Sequence, residues 1–207
     1  MSYNQIYKKR SVWGDEPNIL LRQIFEKLTP KDKFLDLGCG QGRDVLFMLA
    51  KGFRVTGVDA SPESINHIKN LVKINRLSTV NFELVCGDIS SYIIKDDMFD
   101  IINAYNSLQF LSKKDAFRVL ENIKNNIKKN GYIIISGFTI DDPLYKKIGN
   151  DKRCFFERGE LKKIFSEADI ILYNEEIINE NGHAGNPEPH IHGITRIIAQ
   201  KNIGSDS

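Results

Sequence analysis

The sequence has little cysteine, a single tryptophan, almost no excess of charge of either sign and no long apolar run. Its three cysteines, Cys39, Cys86 and Cys154, are an odd number without a Cys-x-x-Cys pair, which argues against a disulfide framework or a zinc site. The 29 Lys and Arg nearly balance the 27 Asp and Glu, and the basic pairs are scattered along the chain, so nucleic acid is not an expected partner. No stretch approaches the roughly 20 apolar residues of a membrane span, and the first residues are too polar for a signal sequence. We therefore expect a soluble, cytoplasmic, globular protein.

Short apolar runs alternate with amphipathic stretches along the 207 residues, which predicts a mostly parallel α/β sheet. Helices are predicted from Pro17 to the Thr29-Pro30 pair, over 42–51, from Pro62 to about 75, after a Ser112 cap, and over about 159–168. Strands are predicted over 33–37, 54–58, 80–85, 99–105, 132–137, 170–178 and 193–201. The last two strands are joined by a loop without a helix, so they should pair as an antiparallel hairpin. The predicted architecture is an open sheet of seven strands with helices on both faces.

The most informative segment is 34–43, which reads F-L-D-L-G-C-G-Q-G-R between a predicted strand and a predicted helix. Glycines at such a turn let the backbone approach a ligand, and the helix behind them offers unpaired N–H groups. Asp59 ends the next strand, where its carboxylate can accept both hydroxyls of a ribose, and Asp88 ends the third strand. Because the carboxyl ends of parallel strands line one crevice, these residues predict a nucleotide-like ligand.

The details of the loop favour S-adenosylmethionine over a dinucleotide. A dinucleotide fingerprint would have a third glycine where Arg43 stands, and a pyrophosphate gains nothing from the nearby Asp36 carboxylate. S-adenosylmethionine instead carries an ammonium group, a ribose, an adenine and a sulfonium.

On these residues the chain resembles the class I S-adenosylmethionine-dependent methyltransferases, which have a Rossmann-like fold. The resemblance extends over roughly 35–201, and within the superfamily it is nearest the tellurite-resistance and thiopurine-type small-molecule enzymes. It implies S-adenosylmethionine as the cofactor, with 36–42 at its methionine moiety, Asp59 at its ribose, Asp88 and Ile89 at its adenine, and the segment after the fourth strand beside the reacting methyl. The implied cofactor-binding residues are Asp36, Gly38, Cys39, Gly40, Gly42, Arg43, Asp59, Ala60, Asp88, Ile89 and Ala104. No Asn/Asp-Pro-Pro-aromatic tetrad follows the fourth strand, which makes nucleic-acid base methylation a poor fit and a small-molecule acceptor the expected partner.

The resemblance also organises the chain into one methyltransferase domain over 1–207, expected to be a monomer or homodimer. Residues 1–30 would form an N-terminal helix and a lid that includes Tyr3, Tyr7 and Trp13, although these aromatic residues could equally pack against the sheet. Residues 33–138 would form the cofactor-binding core, and 139–201 a C-terminal elaboration on the substrate side.

Three of the four histidines, His183, His190 and His192, lie in the loop that joins the last two predicted strands. If the strand before this loop runs parallel to the others, the loop reaches the cofactor edge, and the three histidines become the candidate catalytic residues. They could act as general base, as hydrogen-bond donors to an oxyanion or as metal ligands, or they could be ordinary surface residues. Their spacing is loose for a metal site, so no metal ligand is assigned.

Two other functions stay open on the sequence. One is a nicotinamide-dependent oxidoreductase on a similar sheet, which Arg43 and the lack of an evident hydride-transfer set disfavour. The other is a non-catalytic module that senses S-adenosylmethionine, or a metal through the histidine loop.

Overall fold

In a computed structural model, which describes residues 16–182 and 188–202, one mixed sheet runs through the molecule. Its strands are β1 (Lys33–Leu37), β2 (Arg54–Asp59), β3 (Phe82–Cys86), β4 (Ile101–Tyr105), β5 (Tyr132–Thr139), β6 (Phe155–Phe156), β7 (Asp169–Glu180) and β8 (His190–Gln200). They are ordered β3-β2-β1-β4-β5-β8-β7, and β6 pairs with β5 outside this path. The sheet thus has eight strands rather than the seven predicted, because the two-residue β6 is too short to give a periodic signal.

Strands β1 to β6 pair in parallel, whereas β8 is antiparallel to both β5 and β7. Two antiparallel pairings in succession make β7 run in the direction of β5. The strand before the histidine-containing segment is therefore parallel to the core strands, which is the condition on which the assignment of the histidines depended. Its carboxyl end lies at the same edge of the sheet as the ends of β1 and β2. In the sheet β1 lies between β2 and β4, so the direction in which successive strands are added reverses beside β1. Open α/β sheets bind their ligands at such a reversal.

Helices pack on both faces of the sheet, as predicted. They are α1 (Ile19–Ile24), α2 (Arg43–Ala50), α3 (Pro62–Ile74), α4 (Lys113–Asn126), α5 (Tyr145–Ile148) and α6 (Glu160–Ile164), with single 3₁₀ turns at Phe25–Lys27 and Leu108–Phe110. Alternate strand residues face two apolar cores, so Phe34 packs with α1, α2 and α3, and Leu35 packs with α4 and α6. None of these described helices is long and apolar enough to cross a membrane.

The helix starts follow local capping. The Ser112 side chain accepts a hydrogen bond from the Asp115 N–H, as its predicted role as cap requires, and its hydroxyl donates to the Asp115 carboxylate. The prediction that Pro17 occupies the first helical position is wrong. Asn18 caps α1 instead, with its side-chain oxygen accepting from the N–H groups of Leu20 and Leu21, so the helix begins at Ile19.

Other boundaries also differ from prediction. Strand β8 begins at His190 rather than at 193, so His190 and His192 lie on this strand and not in the loop before it, because β7 and β8 stay paired as far as Glu180 and His190. Strand β4 begins at Ile101 rather than at 99, and the first helix passes into the 3₁₀ turn at Phe25–Lys27. Strand β3 begins at Phe82 rather than at Val80, whose side chain is 86% exposed and has no apolar layer to join. The helix predicted over 159–168 is limited to Glu160–Ile164, and Leu161 and the following Phe165 supply its buried contacts.

Candidate functional site

The glycine loop after β1 is a tight backbone turn against the end of β2. The N–H groups of Gly38 and Cys39 both donate to the Val58 carbonyl, and the Gly42 N–H donates to the Cys39 carbonyl. Gly38, Gly40 and Gly42 have φ values of 78°, 53° and 84°, in the left-handed region that glycine adopts without strain. The loop also packs closely on the segment after β4, because a Cβ on Gly38 would lie 2.4 Å from the Ser107 Cβ.

The Asp59 carboxylate joins this loop to the end of β2. One oxygen accepts the Gly40 N–H at 2.8 Å, and the other accepts the Ser61 N–H at 2.9 Å. A carboxylate has about four lone-pair positions, so each oxygen keeps capacity for a further donor such as a ribose hydroxyl. Ala60 is exposed beside it, and the Gly87 N–H donates to the Asp59 carbonyl, which ties the end of β3 to the same place.

Asp88 and Ile89 follow β3 at that edge. Asp88 is exposed, and its side chain accepts the Ser90 N–H at 2.8 Å, which fixes the turn. Ile89 is buried and packs in the core beneath the turn. A polar rim above an apolar floor is suited to a planar heterocycle with hydrogen-bonding edges.

A buried polar network lies beneath the loop and joins four residues that are distant in the sequence. The Asn103 amide on β4 donates to Asp36 at 2.7 Å and is 3.3 Å from the Asp44 carboxylate. Asn18 donates to Asp44 from both its backbone N–H, at 2.7 Å, and its amide, at 2.8 Å. Several donors thus contact the Asp44 carboxylate, whereas the described residues donate one side-chain hydrogen bond to the Asp36 carboxyl group.

This environment sets the protonation of two loop groups. Burial, together with the neighbouring Asp44 carboxylate, raises the pKa of Asp36 well above its usual value. Burial and the nearby carboxylates likewise raise the pKa of the Cys39 thiol, which stays neutral and inert at physiological pH. The buried surroundings thus disfavour the ionised form of Asp36, and a cationic partner would favour it.

The segment after β4 lies between the glycine loop and β5. Asn106 has φ 53°, accepts the Ser136 hydroxyl at 2.7 Å and donates its N–H to the Ser136 carbonyl at 3.0 Å. The buried oxygens Ser107 Oγ and Gln109 Oε1 find no hydrogen-bond partner among the described residues. Unpartnered buried oxygens are rare and call for an explanation, and a bound ligand is one.

His192 is held firmly near the end of β5. Its Nδ1 lies 2.6 Å from the carboxylate of buried Asp142, and its ring stacks on Phe138 with centroids 4.4 Å apart. His190 meets it edge to face at 4.8 Å, and the His190 Nδ1 lies 2.8 Å from the Glu188 carbonyl. These two histidines are thus ordered, half-buried groups at the edge that carries the glycine loop.

The structure places the predicted site residues in different ways. The residues of the glycine loop and the ends of β2 and β3 come together as expected. Arg43 is adjacent, but its guanidinium is engaged by Asp44 and lies 5.4 Å from the centre of the Tyr105 ring. Ala104 is fully buried in the core, so it supports the site from beneath. His183 and the proposed lid residues Tyr3, Tyr7 and Trp13 lie outside the described residues.

Four further residues join the candidate site without having been predicted. Asn18, Asp44 and Asn103 form the network under the loop, and Asp142 orients His192. The hydrogen-bonded partners are separated by 26 to 85 residues in the sequence, so no local sequence pattern predicts these contacts.

A glycine loop after β1, an acid at the end of β2 and a reversal of strand order beside β1 define a Rossmann-like fold of the class I methyltransferase type. Among solved structures, that of TehB from Haemophilus influenzae superposes with a TM-score of 0.77 at 23% identity, over 89% of this chain and 62% of that one. A structure from a study of echinomycin biosynthesis, on conversion of a disulfide bond into a thioacetal group, gives a TM-score of 0.69 at 15% identity, over 97% of this chain and 89% of that one. At these identities the likeness establishes the fold.

Sequence comparison then identifies the family. The family model described as tellurite resistance protein TehB matches residues 21–186, and the chain belongs to this family. A relative from Haemophilus influenzae, named "Probable S-adenosyl-L-methionine-dependent methyltransferase TehB", is 28% identical over 166 residues, which are 76% of this chain and 54% of the relative. A "Carboxy-S-adenosyl-L-methionine synthase" from Psychromonas ingrahamii is 30% identical over 73% of this chain and 64% of its own length. The chain spans about half the length of the TehB relatives that it matches.

The cofactor named in these relatives fits the residues present. The positive-φ glycines present backbone groups in place of side chains along the loop. Asp59 retains acceptor capacity for ribose hydroxyls, and Asp36 offers a buried carboxyl group to an ammonium group.

Proposed function

We propose that the protein is an S-adenosylmethionine-dependent methyltransferase that acts on a small-molecule acceptor in the cytoplasm. The observation that carries the proposal is the Asp59 carboxylate, which is fixed between the Gly40 and Ser61 N–H groups at the end of β2 and beside a glycine loop of the TehB family. The unpaired state of Cys39, Cys86 and Cys154 supports the assignment to a reducing compartment.

Bound there, S-adenosylmethionine would supply a methyl group activated by a sulfonium. The chain's own part is to bind and align. Asp59 would hold the ribose, Asp36 the ammonium group, and Asp88 the edge of the adenine. Because transfer from a sulfonium is an in-line displacement with a neutral leaving group, alignment and exclusion of water account for most of what a protein must provide.

The acceptor side is proposed to lie between the segment after β4 and the histidines. Ser107 and Gln109 offer unpartnered oxygens next to the loop, and His190 and His192 stand beyond the end of β5 at the same edge. A polar lining of this kind suits an acceptor with hydrogen-bonding or anionic groups, whereas a flat apolar acceptor would leave these groups unpaired.

The test is a two-stage experiment on the full chain. Calorimetric titration should show binding of S-adenosylhomocysteine and no binding of NAD, and a screen with methyl-labelled donor should find transfer to thiols, oxyanions, phenols or amines. Binding of NAD in place of S-adenosylhomocysteine would refute the assignment in favour of an oxidoreductase. Binding of S-adenosylhomocysteine without transfer to any acceptor class would favour a sensing module.

A further inference from the structure

Glu180, His190 and His192 form a cluster at the loop end of the β7–β8 hairpin, and the acceptor role proposed for the two histidines leaves Glu180 unexplained. In the antiparallel register Glu180 is opposite His190, and His192 is two residues further along β8, so all three lie on one face. One nitrogen or oxygen atom from each residue lies within 4.8 Å of those of the other two. We propose that these three residues bind a divalent transition-metal ion.

The contacts of the two imidazole rings support this assignment. The His192 Nδ1 faces the Asp142 carboxylate at 2.6 Å, and the His190 Nδ1 faces the Glu188 carbonyl at 2.8 Å. Both acceptors favour the tautomer with the proton on Nδ1, which leaves Nε2 as the nitrogen that can donate a lone pair to a metal. An outer carboxylate or carbonyl on the second nitrogen is the usual arrangement of metal-binding histidines.

The third residue, Glu180, lies on the Nε2 side of the His190 ring. The Glu180 Oε2 lies 3.3 Å from the His190 Nε2. With the His190 proton on Nδ1, these two atoms both present lone pairs, so a cation between them could bind both, and the negative carboxylate would offset part of its charge.

The surrounding packing fixes the cluster. The His192 ring is stacked on Phe138, and the turn that carries Asp142 lies directly against β8. That contact requires glycine at 193, because a Cβ there would lie 2.6 Å from both the Asp142 nitrogen and the Thr139 Oγ1. A cluster held from several sides loses little entropy on binding an ion.

The chemistry of the three residues selects the class of metal. Two imidazole nitrogens and one carboxylate oxygen suit zinc, iron(II), cobalt or nickel, whereas magnesium and calcium prefer sites of oxygen alone. Three protein ligands leave at least one coordination position for water or another ligand. The cluster lies three strands away from β1, about 14 Å across the sheet at 4.8 Å per strand, so it is separate from the glycine loop.

The experiment measures metal binding directly on the full chain without an affinity tag, after chelator treatment. Titration with Zn²⁺ should give one site per chain, and Zn²⁺ should raise the melting temperature. His192→Ala and Glu180→Gln should each weaken binding by about a hundredfold, and Asp142→Asn, which changes only the support of His192, by about 10- to 100-fold. Glu180→Gln preserves size and is partly exposed, so it tests the site even if a histidine variant fails to fold.

Two controls make the result specific. His67→Ala removes the histidine of α3, far from the cluster in the sequence, and should bind Zn²⁺ like the original chain. Cys86→Ser removes an exposed thiol that could bind the ion adventitiously, and should also retain the site. Absence of Zn²⁺ binding, or unchanged affinity in Glu180→Gln and His192→Ala, would overturn the proposal. Binding of S-adenosylhomocysteine to the original chain reports on the methyl-transfer proposal separately, because none of the three cluster residues is assigned to the cofactor.

Discussion

The carboxyl group of Asp36 allows a double test, because the same substitution should stabilise the fold and weaken cofactor binding. Asp36→Asn keeps the shape of the side chain and an oxygen that can accept the Asn103 amide hydrogen bond. It removes a group that burial and Asp44 disfavour in its charged form. If the charged Asp36 carboxylate instead stabilised the fold, Asp36→Asn would lower the free energy of unfolding.

The sign of the pH effect follows from the raised pKa. In the unfolded chain Asp36 ionises near its usual value of 3.8, whereas in the folded protein it holds its proton to higher pH. The folded state therefore binds more protons in the window between these two values, and stability falls as pH rises through that window. Each unit by which the pKa is raised is worth about 1.4 kcal/mol of stability once the pH exceeds both values. The Asn variant lacks this loss, so its advantage over the original chain should be absent near pH 3.5 and should grow with pH.

Cofactor binding should change in the reverse sense. A hydrogen bond between an ammonium group and a carboxylate contributes about 1.5–3 kcal/mol, so Asp36→Asn should weaken binding of S-adenosylhomocysteine by about 10- to 150-fold. Because the ammonium group selects the ionised carboxylate, binding to the original chain should release a proton and tighten as pH rises. The variant should show neither effect.

The assays are urea denaturation from about pH 3.5 to pH 8 and calorimetric titration in buffers of different ionisation enthalpy. Asp97→Asn is the matched control, since Asp97 is exposed and its φ of 52° is tolerated by asparagine. Parallel stability curves for Asp36→Asn and the original chain would refute the account of the buried carboxyl group. Unchanged affinity in a folded variant would remove Asp36 from the cofactor site.

Three further substitutions test the same site. Asp59→Ala should weaken S-adenosylhomocysteine binding by about 1.5–3 kcal/mol by calorimetry, and unchanged binding in a folded variant would sink the ribose assignment. Gly40→Val forces a branched residue to φ 53° in the loop, so it should abolish binding of S-adenosylhomocysteine. Circular dichroism should retain most of the helix signal. Normal binding by this variant would show that the loop is only a turn. Ser107→Ala removes a buried oxygen without a described partner, so thermal unfolding should show no loss of stability while binding or transfer falls; a stability loss with full activity would contradict a ligand role.

The layout of the sheet could be predicted because it depends on local patterns. Strand β1 has the bounds predicted for it, since its apolar run is enclosed by Lys31-Asp32 and the glycine loop. The start of α4 follows from its Ser112 cap, and the antiparallel pairing of β7 with β8 follows from the loop that joins them without a helix. These features are encoded within a few residues of where they occur.

The polar contacts that complete the site could not be predicted in the same way. Asp142 lies 50 residues from His192, and Asn103 lies 67 residues from Asp36, so their partnership depends on the register of whole strands. Glu180 is one of many acidic residues along the chain until the hairpin register places it opposite His190. Alternation and capping report on single elements, whereas these pairs arise from tertiary packing.

The bond from Asn18 to Asp44 makes the beginning of α1 inseparable from the loop that it supports. Among the residues that the structure describes, a chain starting after residue 18 would keep Arg43 and the long contact from Asn103 as the side-chain donors to the buried Asp44 carboxylate. A buried carboxylate that loses its donors is among the costlier defects a fold can acquire. Among relatives, replacement of Asn18 should therefore coincide with replacement of Asp44, and the two positions should evolve as a pair although 26 residues separate them.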